Sequence, residues 1–267
     1  MLTVFWHTLR ESIHRRMGLV LLVCSVFLPS VLFAVSRFER QANGSIVAYT
    51  GPFRHTDIQV FVNDAFGSLL QFTAGIWLFL GMFAAGPLLV SYLEKGAPDL
   101  LFSKGVPRWQ FFLGRFLGVL ALFVIAVGVM DGGSALYLWA RTGVGPGRFL
   151  VALLFPLLSF AAYLALMGLV SLAQANAGVL IMVAFLQAAF SAVLANRSQL
   201  FTVIQWAWAR TAIDWLYRIL PKNSELDRMA NMYFRSVTYD WWPIWSTGVF
   251  IGVVLGVSLW FLHRKSF

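Results

Sequence analysis

Asp131, in the run GVMDGGSAL, is the one acidic side chain inside a helix-length apolar stretch. An ionisable group within hydrocarbon is costly and marks places where protons, ions or polar cargo pass. It lies toward one end of its stretch, and Gly132 and Gly133 follow, so water or a helix break could solvate it there. Asp131 is therefore a possible pathway residue. His7 and His14 stand seven residues apart on one face of an N-terminal segment, but two imidazoles without a third ligand do not make a metal site. They read as solvated interface histidines. Cys24 is the single cysteine and sits in an apolar run, which excludes an intrachain disulfide and a cysteine-based metal site. The chain has no G-x-x-x-x-G-K-[ST], no H-E-x-x-H, no G-x-S-x-G and no carboxylate pair within an apolar span. The chain itself is thus not expected to be an enzyme or to hold a metal or cofactor.

The elements that would position Asp131 follow from composition. Of 267 residues, 60% are hydrophobic and only 12% charged, half of the roughly 25% usual in soluble domains, so the main solvent is lipid. The net charge of +9 suits a lipid surface with anionic headgroups. The basic residues are scattered between apolar stretches instead of gathered on one face, which argues against nucleic acid. The expected fold is an all-α integral membrane protein forming a single transmembrane domain over 1–267. Six spans are expected at about 17–36, 66–90, 111–138, 149–173, 177–196 and 243–262. Residues 1–15 read as an interfacial helix, with Leu2, Trp6, Leu9 and Ile13 on one side and Arg10, Glu11, His14 and Arg15 largely elsewhere. The run from Met17 to Ser36 exceeds the 7–15 residues of a signal h-region and reads as a retained first span.

Residues 37–65 read as an external loop with β-like pieces at Ile46–Tyr49 and Ile58–Val62. Pro156 should kink the fourth span, and a tight turn is expected around Gln174 and Asn176. Residues 197–240 read as an external helical segment before the last span. In it, VIQWAWARTAIDWLYRIL places Arg210, Asp214 and Arg218 on one stripe for ion pairing. Ile204, Trp208, Trp215 and Ile219 take the far side, as in a helix resting in the outer leaflet. Gly248, Gly252 and Gly256 repeat every four residues, as do Gly128 and Gly132, and such stripes serve helix packing within a chain or between subunits. Arg10, Arg15, Arg16, Lys95, Lys104, Arg108, Arg115, Arg264 and Lys265 all fall on the side of the termini, which the positive-inside rule makes cytoplasmic. Arg197, Arg210, Arg218, Lys222, Arg228 and Arg235 lie opposite, in a long segment where the rule acts weakly.

The segment SYLEKGAPDLLFSKGVPRWQFFLGR, Ser91 to Arg115, interrupts this apolar pattern. Leu100, Leu101 and Phe102 sit between Gly96 and Pro98 on one side and Gly105 and Pro107 on the other. Pro98 suits the first turn of a short helix and Pro107 prevents its continuation. The product is a short, charge-flanked helix showing apolar side chains at the membrane surface, the form of a knob that fits a socket on another protein.

An acidic residue and a glycine, a Leu-Leu pair, Ser-Lys-x-x-Pro-Arg, and a Gly-Arg opening the next span resemble the permease subunits of the ABC type-2 exporter family. The matching positions are Glu94, Gly96, Leu100, Leu101, Ser103, Lys104, Pro107, Arg108, Gly114 and Arg115, and the layout of spans is similar as well. Family members often carry Glu-x-x-x-Gly-Thr before the leucines, where this chain has Gly96-Ala97-Pro98-Asp99. LPKNSELD, Leu220 to Asp227, is similar to a segment of some of these permeases. The resemblance implies an exporter subunit in the cytoplasmic membrane, with both termini cytoplasmic. Residues 91–110 would then form the coupling segment, with Glu94, Gly96, Leu100, Leu101, Phe102, Lys104, Pro107 and Arg108 docking on a separate ATPase subunit. It also implies a second permease copy, with ATP and Mg bound by the partner. Two other readings stay open: an ion-coupled carrier or channel using Asp131, and a non-transport membrane scaffold.

Overall fold

Among the described residues six helices are long and apolar enough to cross a membrane: Gly18–Val35, Ile58–Val90, Trp109–Thr142, Gly147–Ala173, Ala177–Ala195 and Trp242–Arg264. The computed structural model describes residues 2–14, 16–41, 46–91 and 107–264. In chain order its helices are α1 Leu2–His14, α2 Arg16–Val35, α3 Ile58–Phe72, α4 Leu78–Val90, α5 Arg108–Val127, α6 Gly133–Thr142, α7 Gly147–Ala152, α8 Leu154–Ala173, α9 Ala177–Ala195, α10 Arg197–Val203, α11 Ala207–Ile219, α12 Asn223–Phe234 and α13 Trp242–Arg264. π-helical turns at Thr73–Trp77 and Gly128–Gly132 join α3 to α4 and α5 to α6 without a break. The second and third spans are thus single helices of 33 and 34 residues, whereas α9 has 19. This is a multi-pass membrane fold.

The centre is built by α4, α5 and α8. Phe123 of α5 stacks on Phe160 of α8 with ring centroids 3.9 Å apart. Gly81 of α4 makes room for that stack, since a Cβ there would stand 2.6 Å from the Phe123 ring. α9 packs on α4 and α8, and α13 packs on α8. Val4, Phe111, Phe112, Leu172 and Leu262 form one cluster, which brings α1, the start of α5 and the ends of α8 and α13 to a common side, the termini side. The opposite side carries a three-stranded antiparallel sheet: β1 Ser36–Arg40, β2 Ile46–Thr50 and β3 Phe53–His55, with Ser36 paired to Thr50 and Thr50 to Phe53. Phe38 of β1 meets Phe61 and Tyr137 edge-on, seating the sheet on α3 and α6.

Ile58–Val62 is not strand but the start of the second span, eight residues earlier than expected. Asp57 caps it, its Oδ1 accepting from the Gln59 and Val60 N–H groups at 3.0 and 3.2 Å. Val62, Phe66 and Leu70 then bury one helical face. As Pro156 leads one to expect, regular helix in the fourth span is interrupted, at Leu153 (φ −65°, ψ −18°), because Pro156, lacking an N–H, cannot continue the hydrogen-bond ladder. The 197–240 segment is helical as expected, and its α12 packs against α3, α7, α8 and α9.

Candidate functional site

The predicted docking residues Glu94, Gly96, Leu100, Leu101, Phe102 and Lys104 lie outside the described residues. The structure does describe both anchor points of their segment. Pro107 is extended (φ −67°, ψ 142°) and precedes α5, which Arg108 opens. Two turns further on, Arg115 is buried at 5% exposure. Its Nη1 donates to Leu88 O at 3.0 Å and Ser91 Oγ at 2.9 Å, both at the end of α4, and forms an ion pair with Glu11 Oε2 of α1 at 2.7 Å. One guanidinium therefore ties together the last residue before the segment, the helix after it and the N-terminal helix. α1 comes close enough because of Gly118, where a Cβ would stand 2.7 Å from Thr8 Cβ. Burying an arginine is tolerated only with such a set of acceptors.

Asp131 lies within the π-helical turn of the third span, and Thr73 opens that of the second. Both side chains are fully buried. Thr73 Oγ1 donates to Asp131 Oδ2 at 2.6 Å, and Asp131 Oδ1 has no hydrogen-bond partner among the described residues. The expected solvation by a helix break is overturned, because Gly132 and Gly133 keep helical backbone angles and the helix runs through. A π turn inserts a residue and re-aims the side chains around it, and such turns recur at functional sites. Among the described residues no basic side chain pairs with Asp131. A lone buried carboxyl beside a hydroxyl can take up a proton or a cation.

A second polar cluster has no counterpart among the residues that the sequence singles out. α8 and α9 form a hairpin about Ala175, with Asn176 capping α9 through Gly178 N–H. Tyr163 and Gln187 lie twelve residues on either side of Ala175, and Ser159 and Ser191 sixteen, so the four make two levels of one seam. α12 covers it. The Ser224 N–H donates to Ser191 Oγ at 3.0 Å, and the buried Asn223 lies beside Tyr163, close but short of a well-formed hydrogen bond. Ser159 Oγ, both amide atoms of Gln187 and of Asn223, Asp227 Oδ1 and Asn231 Oδ1 are shut off from solvent with no hydrogen-bond partner among the described residues. Burial pushes the Asp227 carboxyl up to about 7. Buried donors and acceptors at this density are served by water or a polar ligand.

Next to the seam, Lys222 is buried at 3% exposure. Its ammonium donates to Tyr217 O at 3.1 Å and to Ser246 Oγ, and its N–H donates to Thr247 Oγ1 at 3.2 Å. These bonds fasten the start of α12 to α11 and α13. Burial lowers the Lys222 pKa, while neighbouring Glu225 works against that. On α11 the expected ionic stripe does not form. Arg210 donates to the carbonyls of Ile204 and Phe201, Asp214 pairs with Arg197 at 3.9 Å, and Arg218 lies over Trp215. Carbonyls freed at the end of α10 compete for Arg210. Trp206, Trp208, Trp215 and Ile219 are exposed, as a membrane-surface helix requires.

Among the described residues nothing lies within 4 Å of a Cβ built on Gly248, Gly252 or Gly256. α13 instead buries Thr247, Val254, Ser258 and Leu262, turning the glycine stripe outward. Gly128 and Gly132 are equally open. No protein-family model matches the chain, and comparison with well-characterised proteins finds no significant similarity.

Proposed function

We propose that the chain is the membrane subunit of an ATP-driven exporter, working in a complex with a second permease copy and a separate ATPase. The termini side faces the cytoplasm in this reading, and the cargo crosses the cytoplasmic membrane. The observation that carries the reading is Arg115, which joins Ser91, Leu88 and Glu11 and so clamps both ends of the 92–106 segment to the N-terminal helix. A force applied to that segment by a docked ATPase would reach α4, α5 and α1 together, and the two longest spans would carry it across the membrane. The motif from Glu94 to Arg108 and the lack of any nucleotide-binding motif in the chain support the same reading. The seam under α12 supplies polar groups on the far side of the pathway.

The test is copurification of the tagged full-length chain from native membranes. A P-loop ATPase should copurify with the wild type and be lost on deleting 95–107 or on Leu101→Asp, while membrane insertion persists. Unchanged copurification would refute the docking assignment. The Thr73–Asp131 pair favours one second reading, an ion-coupled carrier. Nucleotide-free transport in proteoliposomes that Asp131→Asn abolishes would establish it over the exporter.

A further inference from the structure

On the sheet side, away from the seam, a cavity of about 580 Å³ opens between the first turns of α3, the start of α7 and the end of α12. Its floor is aromatic. Phe66 stacks on Phe149 at 4.5 Å with rings 17° from parallel, and Phe234 meets both edge-on at 6.1 and 6.5 Å. Its rim carries Arg148, Arg235 and Asp64, with Gln59 and Asn63 between them. Arg148 Nη1 donates to Ser236 Oγ, and the Arg235 guanidinium reaches over α3 at Gly67, where a Cβ would begin 4.0 Å from its Nη2. Among the described residues neither arginine forms an ion pair. Two guanidinium groups thus converge on one concave site against a single carboxylate.

The backbone that sets this geometry is strained. Ser236 has φ 60°, the one non-glycine residue with positive φ among those described. It closes α12 in the position where glycine is usual, with the Ser236 and Val237 N–H groups donating to Tyr233 O and Met232 O at 3.1 and 2.9 Å. Holding a serine there is costly and is expected where the side chain serves the site; here its hydroxyl orients Arg148.

We infer that this cavity binds a phosphate-bearing anion on the sheet side of the protein. The planar guanidinium fork matches phosphate oxygens in pairs, Asn63 and Gln59 add neutral hydrogen bonds, and the phenyl floor takes an apolar body attached to the phosphate. The cavity sits at the sheet-side end of a 33-residue helix, and the exposed Trp241, just before α13, and Trp242 and Trp245 in its first turn lie on the same side, the level at which lipid headgroups lie. The phosphate could come from a lipid headgroup or from a free phosphate, and the probes separate the two.

The experiment uses the full chain in nonionic detergent, titrated with inorganic phosphate and, separately, with dihexanoyl phosphatidylglycerol, binding being read by thermophoresis. Saturable binding is expected, weakening with added salt. Arg235→Gln should weaken it about tenfold, the value of one charge-assisted hydrogen bond, and the Arg148→Gln/Arg235→Gln pair should weaken it further. Asp64→Asn should tighten it several-fold, and Arg141→Gln, outside the cavity, should leave it unchanged. Tighter binding of the lipid than of inorganic phosphate identifies a headgroup, and the reverse order a free phosphate. Arg235 bonds no other side chain among the described residues, so its loss tests the site without threatening the fold. Absence of saturable binding of both probes, or wild-type affinity in Arg235→Gln, overturns the inference.

Discussion

Arg115→Gln is the substitution whose consequence can be worked most directly. The change takes the buried guanidinium from Glu11, whose side chain is only 16% exposed, and it removes the Arg115 donor from Leu88 O and Ser91 Oγ. Breaking a buried ion pair from one side costs about 3–5 kcal/mol, and partial exposure of Glu11 puts the expectation at the low end, about 3 kcal/mol. For a chain of this size each kcal/mol lowers the unfolding temperature by roughly 2–4 °C, so a fall of roughly 6–12 °C should appear in thermal unfolding followed by circular dichroism in detergent. Glu11→Gln on top of Arg115→Gln removes the charge that faced the guanidinium, so the double variant should be more stable than the sum of the single changes predicts, by about 1–3 kcal/mol. A loss under about 1 kcal/mol in Arg115→Gln, with strict additivity in the double variant, would mean that the guanidinium does not hold the three elements together.

Asp227 predicts a pH dependence. Burial raises its pKa to about 7, above the unfolded value of about 3.9, so the folded state binds the proton more tightly. The contribution of Asp227 to stability is fully present below about pH 4 and is lost as pH rises from about 4 to 7, by up to about 4 kcal/mol. Asp227→Asn should flatten that slope in unfolding measured from pH 5 to 8, and an equally steep slope in the variant would remove Asp227 as its source. The glycines predict a contrast. Gly118→Leu collides with Thr8 and should lower the unfolding temperature by several degrees, while Gly252→Leu, facing open space, should leave it within about 2 °C of wild type. Equal effects would contradict the packing of α1 on α5.

The six spans were legible because apolar runs and the breakers between them, such as Gly143–Pro146 and Gln174–Asn176, are local properties of the chain. The start of the second span was not, since Ile58–Val62 alternates like a strand and only the Asp57 cap reveals a helix. Asp131 stood out as a lone acid. Its partner Thr73 is 58 residues away and unremarkable in type, and neither π turn leaves a mark in composition. The seam was hidden for a related reason. Each span contributes one or two polar side chains, too few to register singly, although the equal spacing of Ser159, Tyr163, Gln187 and Ser191 about Ala175 was available to be noticed. The glycine stripe of α13 was visible, but which way it faces depends on the neighbours that its other side finds.

The unequal lengths of the spans decide how this protein meets its bilayer. Helices of 33 and 34 residues extend about 50 Å and overhang a hydrocarbon layer of about 30 Å at will, whereas the 19 residues of α9 reach only about 28 Å. In a thicker membrane the long helices have slack, whereas α9 and the 18-residue first span, Gly18–Val35, have none, so hydrophobic mismatch concentrates on these two, of which α9 carries Gln187 and Ser191. The short crossings are therefore the molecule's gauge of membrane thickness.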